Sequence, residues 1–193
     1  MGVVMRKIII SAIFLCIIAG VSAFILINVN QMTQSKIEAQ KTAAIEEAQK
    51  NVLPLAVTFD ESKVVASVPS KVISGGEEKY YFIPGYSSGG DLVGYVVNIA
   101  STGYSSDIQF TMGISSGGSV TGIQITSQKE TPGLGDKITG KAWEAHWAGV
   151  TESTPFNKSL DAFAGSTISP EAVYAGMMNA LQAFNSVERG GNE

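Results

Sequence analysis

A run of 22 residues without a single charge, positions 8–29, constrains this chain more than any other feature. Coiled into a helix rising 1.5 Å per residue, it reaches about 33 Å, enough to cross the hydrocarbon core of a bilayer. A cleaved secretory signal is the competing reading, because Val21-Ser22-Ala23 has the small residues of a cleavage site. Phe24, Ile25, Leu26 and Ile27 carry the apolar run past that point, whereas the apolar region of a signal spans about 7–15 residues. The reading adopted is therefore an uncleaved anchor. Arg6 and Lys7 precede the run, and the lysines soon after it, Lys36 and Lys41, are offset by glutamates. The positive-inside rule then places the N-terminus in the cytoplasm. The chain is expected to be a single-pass protein of the cell (inner) membrane, anchored in lipid, with its bulk extracytoplasmic.

Beyond the anchor the chain is acidic. Residues 33–193 carry 11 basic and 17 acidic side chains. An acidic surface without a basic patch repels nucleic acid, so that class of partner is excluded. The one cysteine, Cys16, lies inside the apolar run. This chain alone can build no disulfide, iron–sulfur cluster or cysteine zinc site. The one histidine, His146, has no second ligand nearby, and no metal site is expected. No nucleophile–base pair, phosphate-binding loop or dinucleotide fingerprint appears, so no catalytic residue is assigned.

Residues 33–52 place Ile37, Ala44, Ile45, Ala48 and Val52 at helical spacing, and Pro54 stops the pattern. Stretches 63–73, 79–83, 92–99, 108–114 and 120–127 read as strands between Gly, Ser and Pro turns. Gly117-Gly118 predicts a hairpin between the last two. Residues 142–147 read as a short helix with Trp143 and Trp147 packing in the core. Residues 170–187 read as the clearest helix, with Val173, Met177, Leu181 and Phe184 on one stripe. Strands grouped together and closed by a helix indicate an α+β fold, an antiparallel-rich sheet packed by helices.

Two turns carry site-like chemistry. In Glu130-Thr131-Pro132-Gly133-Leu134-Gly135, Pro then Gly fits the centre of a type II turn. Such a turn exposes backbone groups to a polar ring edge, or serves only as a structural loop. In Gly165-Ser166-Thr167-Ile168-Ser169-Pro170-Glu171, Ser169 can cap a helix and Pro170 fits its first turn. A helix start does not account for Gly165, Ser166 and Thr167. Small residues before a helix let backbone N–H groups approach a phosphate closely. Asp161 before them is either part of a recognition motif or an ordinary loop-stabilising residue. Lys137 and Lys158 read as solvated surface.

The two segments in this order resemble the FMN-binding domain shared by two flavin carriers, the G subunit of Rnf complexes and the C subunit of sodium-translocating NADH:quinone oxidoreductases. That family carries the pattern Asp-x-x-Ser/Thr-Gly-Ala-Thr. Asp161, Gly165 and Thr167 match it at the required spacing, while Ala164 stands for Ser/Thr and Ser166 for Ala. Residues 130–135 match the family's Glu-Thr-Pro-Gly-Leu-Gly loop without departure. The resemblance implies FMN bound covalently through its phosphate to Thr167, attached by a separate flavin transferase. Gly165, Ser166, Asp161 and the loop residues Glu130, Thr131, Pro132, Gly133, Leu134 and Gly135 would complete the cofactor site. It further implies a relay of electrons between ferredoxin and NAD⁺, coupled to Na⁺ or H⁺ movement by other subunits of a membrane electron-transport complex. The expected organisation is 1–7 cytoplasmic, 8–29 anchor, 30–91 juxtamembrane helix and start of the domain, 92–187 FMN-binding domain and 188–193 flexible tail. A quinone-reductase subunit and a cofactor-free anchored binding or assembly module are the alternatives.

Overall fold

The computed structural model describes residues 2–61, 69–70 and 78–190. It divides into two units, Met1–Ala43 and Ala44–Glu193. Helix α1 (Gly2–Val52) forms the first unit and contributes its last residues to the second. Its window Ile13–Asn30 has a mean hydropathy of 2.3 with no residue buried, so it is long and apolar enough to cross a membrane. Polar side chains near the end of that window bond to the helix itself: Asn28 Nδ2 donates to Phe24 O at 2.7 Å and Thr33 Oγ1 to Val29 O at 2.8 Å. The helix expected over 33–52 is the continuation of α1, and it stops before Pro54, whose ring cannot follow a helical residue.

The second unit is built on an antiparallel sheet. Its strands are β1 (Thr58–Phe59), β4 (Ile83–Tyr86), β5 (Leu92–Thr102), β6 (Asp107–Ser115) and β7 (Val120–Ser127), in the order β1-β4-β5-β6-β7. Strands β2 (Pro69–Ser70) and β3 (Glu78–Lys79) form a separate antiparallel pair. A 3-10 turn (Gly135–Thr139) and helices α2 (Lys141–His146), α3 (Lys158–Asp161) and α4 (Ile168–Gly190) follow. The architecture is α+β, as expected. The strand expected over 79–83 is divided between the end of β3 and the start of β4, with Tyr80 and Phe82 buried between them. Most of the strand expected over 63–73 lies outside the described residues.

Alternation along β5 and β6 explains how the sheet takes its helix. Tyr95, Val97 and Ile99 on β5 and Ile108, Phe110, Met112 and Ile114 on β6 belong to one buried cluster. Val173, Met177, Leu181 and Phe184 of α4 fill the same cluster, with Phe184 edge-on to Phe82 at 5.3 Å between centroids. A second cluster joins Val52, Leu53 and Ala56 to Ile83 and Val96, so β5 is covered on both faces. Trp143 and Trp147 pack edge to face in the main core, 5.4 Å apart. Glu144 beside them accepts the N–H of Ile125 at 2.8 Å, which satisfies a donor on the edge strand β7. Helix α4 thus packs on the sheet through this cluster, which sets where its first turn lies.

Candidate functional site

Residues 131–134 form the first wall of the site. Leu134 N–H donates to Thr131 O at 3.1 Å across the turn, and Gly133 has φ of 78°. That is the type II turn expected of Pro132-Gly133, with the residue lacking a Cβ where φ must be positive. The chain then enters the 3-10 turn at Gly135.

Residues 163–166 form the opposite wall by the same device. Ser166 N–H donates to Phe163 O at 3.0 Å, Phe163 N–H returns a bond to Ser166 O at 3.2 Å, and Gly165 has φ of 80°. Ala164 occupies the position before Gly165, is exposed, and has negative φ. A type II turn accepts most residues there, so the departure from the family pattern at this position leaves the turn intact.

Thr167 follows directly. Its carbonyl accepts the N–H of Glu171 at 3.0 Å, the first intrahelical bond of α4, which makes Thr167 the N-cap residue. Its side chain is exposed and makes no hydrogen bond among the described residues. The N–H groups of Ile168 and Ser169 have no intrahelical acceptor, as at any helix start. The cap expected at Ser169 is corrected by this geometry. Ser169 lies inside the first turn, 1% exposed, and its hydroxyl donates to Glu130 Oε2 at 2.7 Å. A buried carboxylate needs donors more than an exposed helix end needs a cap, since water can satisfy the latter.

Glu130 binds three segments together. Oε1 accepts the N–H groups of Ser105 at 3.0 Å and Ser106 at 3.1 Å, and Oε2 accepts Tyr104 N–H at 3.2 Å beside Ser169. Burial pushes its carboxyl pKa up, but the bond from Ser169 and those from Ser105, Ser106 and Tyr104 outweigh it and hold the value below the ordinary one.

These pieces enclose a cleft of about 280 Å³. Tyr104, Glu130, Thr131, Leu134, Gly135 and residues 165–169 line it. Both sequence motifs therefore meet at one place. Pro132 and Gly133 shape the turn without lining the cleft. Asp161 does not line it either. Its Oδ2 accepts Asn157 N–H at 2.6 Å, Oδ1 lies 2.8 Å from His146 Nε2, and its carbonyl accepts the Trp143 indole N–H at 2.7 Å. These are the bonds of a residue that anchors the segment leading into the second turn. Lys158 pairs with Glu171 at 3.2 Å, and Lys137 lies 6.0 Å from the Phe163 ring, so neither lines the cleft. Among the described residues no cluster of ligating side chains could hold a metal.

Tyr104 and Ile168 are lining residues that sequence reasoning missed. Tyr104 sits in the turn between β5 and β6, and only the fold brings it beside the two motifs. Tyr104, Leu134 and Ile168 are 71%, 42% and 48% exposed, an apolar lip around a polar floor.

The FMN-binding domain family matches residues 103–182, a stretch that contains every residue lining the cleft. The G subunit of the Na⁺-translocating ferredoxin:NAD⁺ oxidoreductase complex of Acetobacterium woodii is 31% identical over 189 residues, covering 92% of this chain and 91% of that protein. The chain belongs to the Rnf G-subunit family. The G subunit of the ion-translocating oxidoreductase complex of Methanosarcina acetivorans is a further relative, 31% identical over 177 residues and covering 89% of this chain and 92% of its own length. Among solved structures, the chain resembles the C subunit of the Na⁺-translocating NADH-quinone reductase of Parabacteroides distasonis, with a TM-score of 0.53 over 78% of this chain and 94% of that one. NqrC of Shewanella oneidensis gives a TM-score of 0.52 over 72% and 74%. At 16% and 18% identity these two show a common fold.

The cleft suits the two ends of a flavin mononucleotide. Thr167 offers an unengaged hydroxyl beside small residues and a helix N-terminus, which favours a phosphate. Tyr104, Leu134 and Ile168 offer apolar surface to a ring.

Proposed function

We propose that FMN is joined through a phosphoester to Thr167 Oγ1 and that the chain relays electrons within an Rnf-type ferredoxin:NAD⁺ oxidoreductase. The protein is membrane-anchored through α1, it belongs to an ion-translocating complex, and FMN is its cofactor. In this reading the anchor is a single span and residues 31–193 stand outside the cytoplasm. Other subunits couple the electron flow to movement of Na⁺ or H⁺, and a separate flavin transferase makes the bond.

One observation carries the attachment: the exposed, unbonded hydroxyl of Thr167 stands at the edge of the cleft that both motifs line. The cleft is slightly smaller than ordinary small-molecule sites of about 300–1,000 Å³. A flavin there is only partly enclosed, and a covalent tether supplies the retention that burial does not. When bound, FMN supplies the electron-carrying chemistry. The chain's own residues hold and surround it. Gly165 and Ser166 set the turn that presents Thr167, the α4 N-terminus favours the phosphate charge, and Thr131, Leu134 and Gly135 with Tyr104 wall the ring. Asp161 acts one step back, by fixing the approach to the turn.

The test is covalent flavin in the full-length protein, coexpressed with a flavin transferase and separated on a denaturing gel. Wild type should give a flavin-fluorescent band and Thr167→Ala none. A wild-type band that is absent, or a Thr167→Ala band that persists, overturns the assignment.

A further inference from the structure

Glu130 carries a charge that nothing described neutralises. Its side chain is 5% exposed and belongs to none of the ion pairs among the described residues. All four of its hydrogen-bond donors, three backbone N–H groups and one hydroxyl, are neutral. Such donors keep a carboxylate ionised, but they do not cancel its field, and a partly buried field is poorly screened. The carboxylate is also locked in place. A Cβ at Gly135 would lie 2.5 Å from Ser169 Oγ and 2.8 Å from Glu130 Oε2, so only a residue without a side chain fits against the pair.

We propose that Glu130 sets the reduction potential of the flavin held in this cleft, keeping it low by placing a fixed, unpaired negative charge in the cleft wall. The inference rests on the assignment of FMN to the cleft. Reduction moves an electron from a donor centre of the complex, which is oxidised, onto the flavin, which is reduced. Any proton that follows comes from water at the open side. The added negative charge meets the field of Glu130, so the reduced form is raised relative to the oxidised one. A low potential keeps the flavin a ready donor to the next centre.

Two substitutions separate charge from mere support. Glu130→Gln removes the charge. Ser169→Ala keeps the charge and removes the one side-chain donor whose dipole partly offsets it. As a structural brace, Glu130 would be weakened by both, and both would move the flavin in the same direction. As a fixed charge, it predicts shifts of opposite sign.

The measurement is a spectroelectrochemical titration of the flavin on the full-length, FMN-loaded protein in detergent. Glu130→Gln should raise the potential by about tenfold in the equilibrium constant, or about 59 mV for a one-electron step. Ser169→Ala should lower it by less than that. Glu152→Gln, at a carboxylate that bonds Asn185 outside the cleft, should leave it unchanged. Shifts of the same sign for Glu130→Gln and Ser169→Ala, or a Glu130→Gln value equal to that of Glu152→Gln, overturn the proposal. If Glu130→Gln does not fold or load, Ser169→Ala decides alone: a fall supports the proposal, and no change or a rise overturns it. Failure of wild type to hold flavin would instead count against the FMN assignment itself.

Discussion

Two buried carboxylates, Glu130 and Asp161, tie down the two turns of the cleft, and they do so differently. Each is 5% exposed. Glu130 reaches across the fold, joining the β5–β6 turn, its own loop and the first turn of α4. Asp161 works close to home. It holds Asn157 four residues back and His146 and Trp143 on the neighbouring helix. Glu130 lines the cleft and Asp161 does not. One motif residue therefore builds the site's wall, while the other steadies the segment that delivers Thr167.

The largest effect should come from breaking the longer-range brace. Glu130→Ala strands one buried hydroxyl and three part-buried backbone donors; a buried unpaired group costs about 1–3 kcal/mol and part-buried ones less, so a total loss of about 3 kcal/mol is expected. Asp161→Ala should cost less, about 1–3 kcal/mol, because the half-exposed His146 can turn to water. Urea denaturation of the two apoproteins measures both. Equal losses would mean that the reach of Glu130 adds nothing.

Acid should weaken the brace that Glu130 makes. The pKa of Glu130 is lowered in the folded protein from an ordinary value of 4.5. Its contribution to stability is therefore complete above that value and is lost as pH falls through the lower folded value. Thermal melts from neutral to acid pH should show a steeper decline below about pH 4.5 in wild type than in Glu130→Gln. Parallel curves would remove Glu130 from the acid response.

The smallest effects belong to the turns. Gly165→Ala forces a side chain into positive φ, which costs about 1–2 kcal/mol, and it should also reduce flavin loading because it tilts Thr167. Gly133→Ala meets the same backbone cost with open space around it. It should leave loading higher than Gly165→Ala does, read as flavin fluorescence per unit protein. The reverse order would place the attachment on the other wall.

What can be read from the sequence follows from range. The stripe Val173, Met177, Leu181 and Phe184 repeats locally, so α4 is visible as a helix, although it starts at Ile168 and runs to Gly190. Pro132-Gly133 names its turn type outright. Gly117-Gly118 marks the β6–β7 hairpin, and Gly118 takes the positive φ there. The wall formed by Tyr104 is not visible, because Glu130 meets Tyr104 from 26 residues away and Ser169 from 39. Contacts at that separation leave no periodic trace. Ser169 misleads for the same reason: Ser-Pro-Glu looks like a cap locally, and only the tertiary partner Glu130 draws the hydroxyl inward.

The central claim is that Thr167 carries the flavin, and intact-mass measurement on protein from membranes tests it most directly. Wild type should be heavier than its polypeptide by one FMN less one water, and Thr167→Ala should have the mass of the bare polypeptide. A flavin-sized addition that survives in Thr167→Ala would contradict the account.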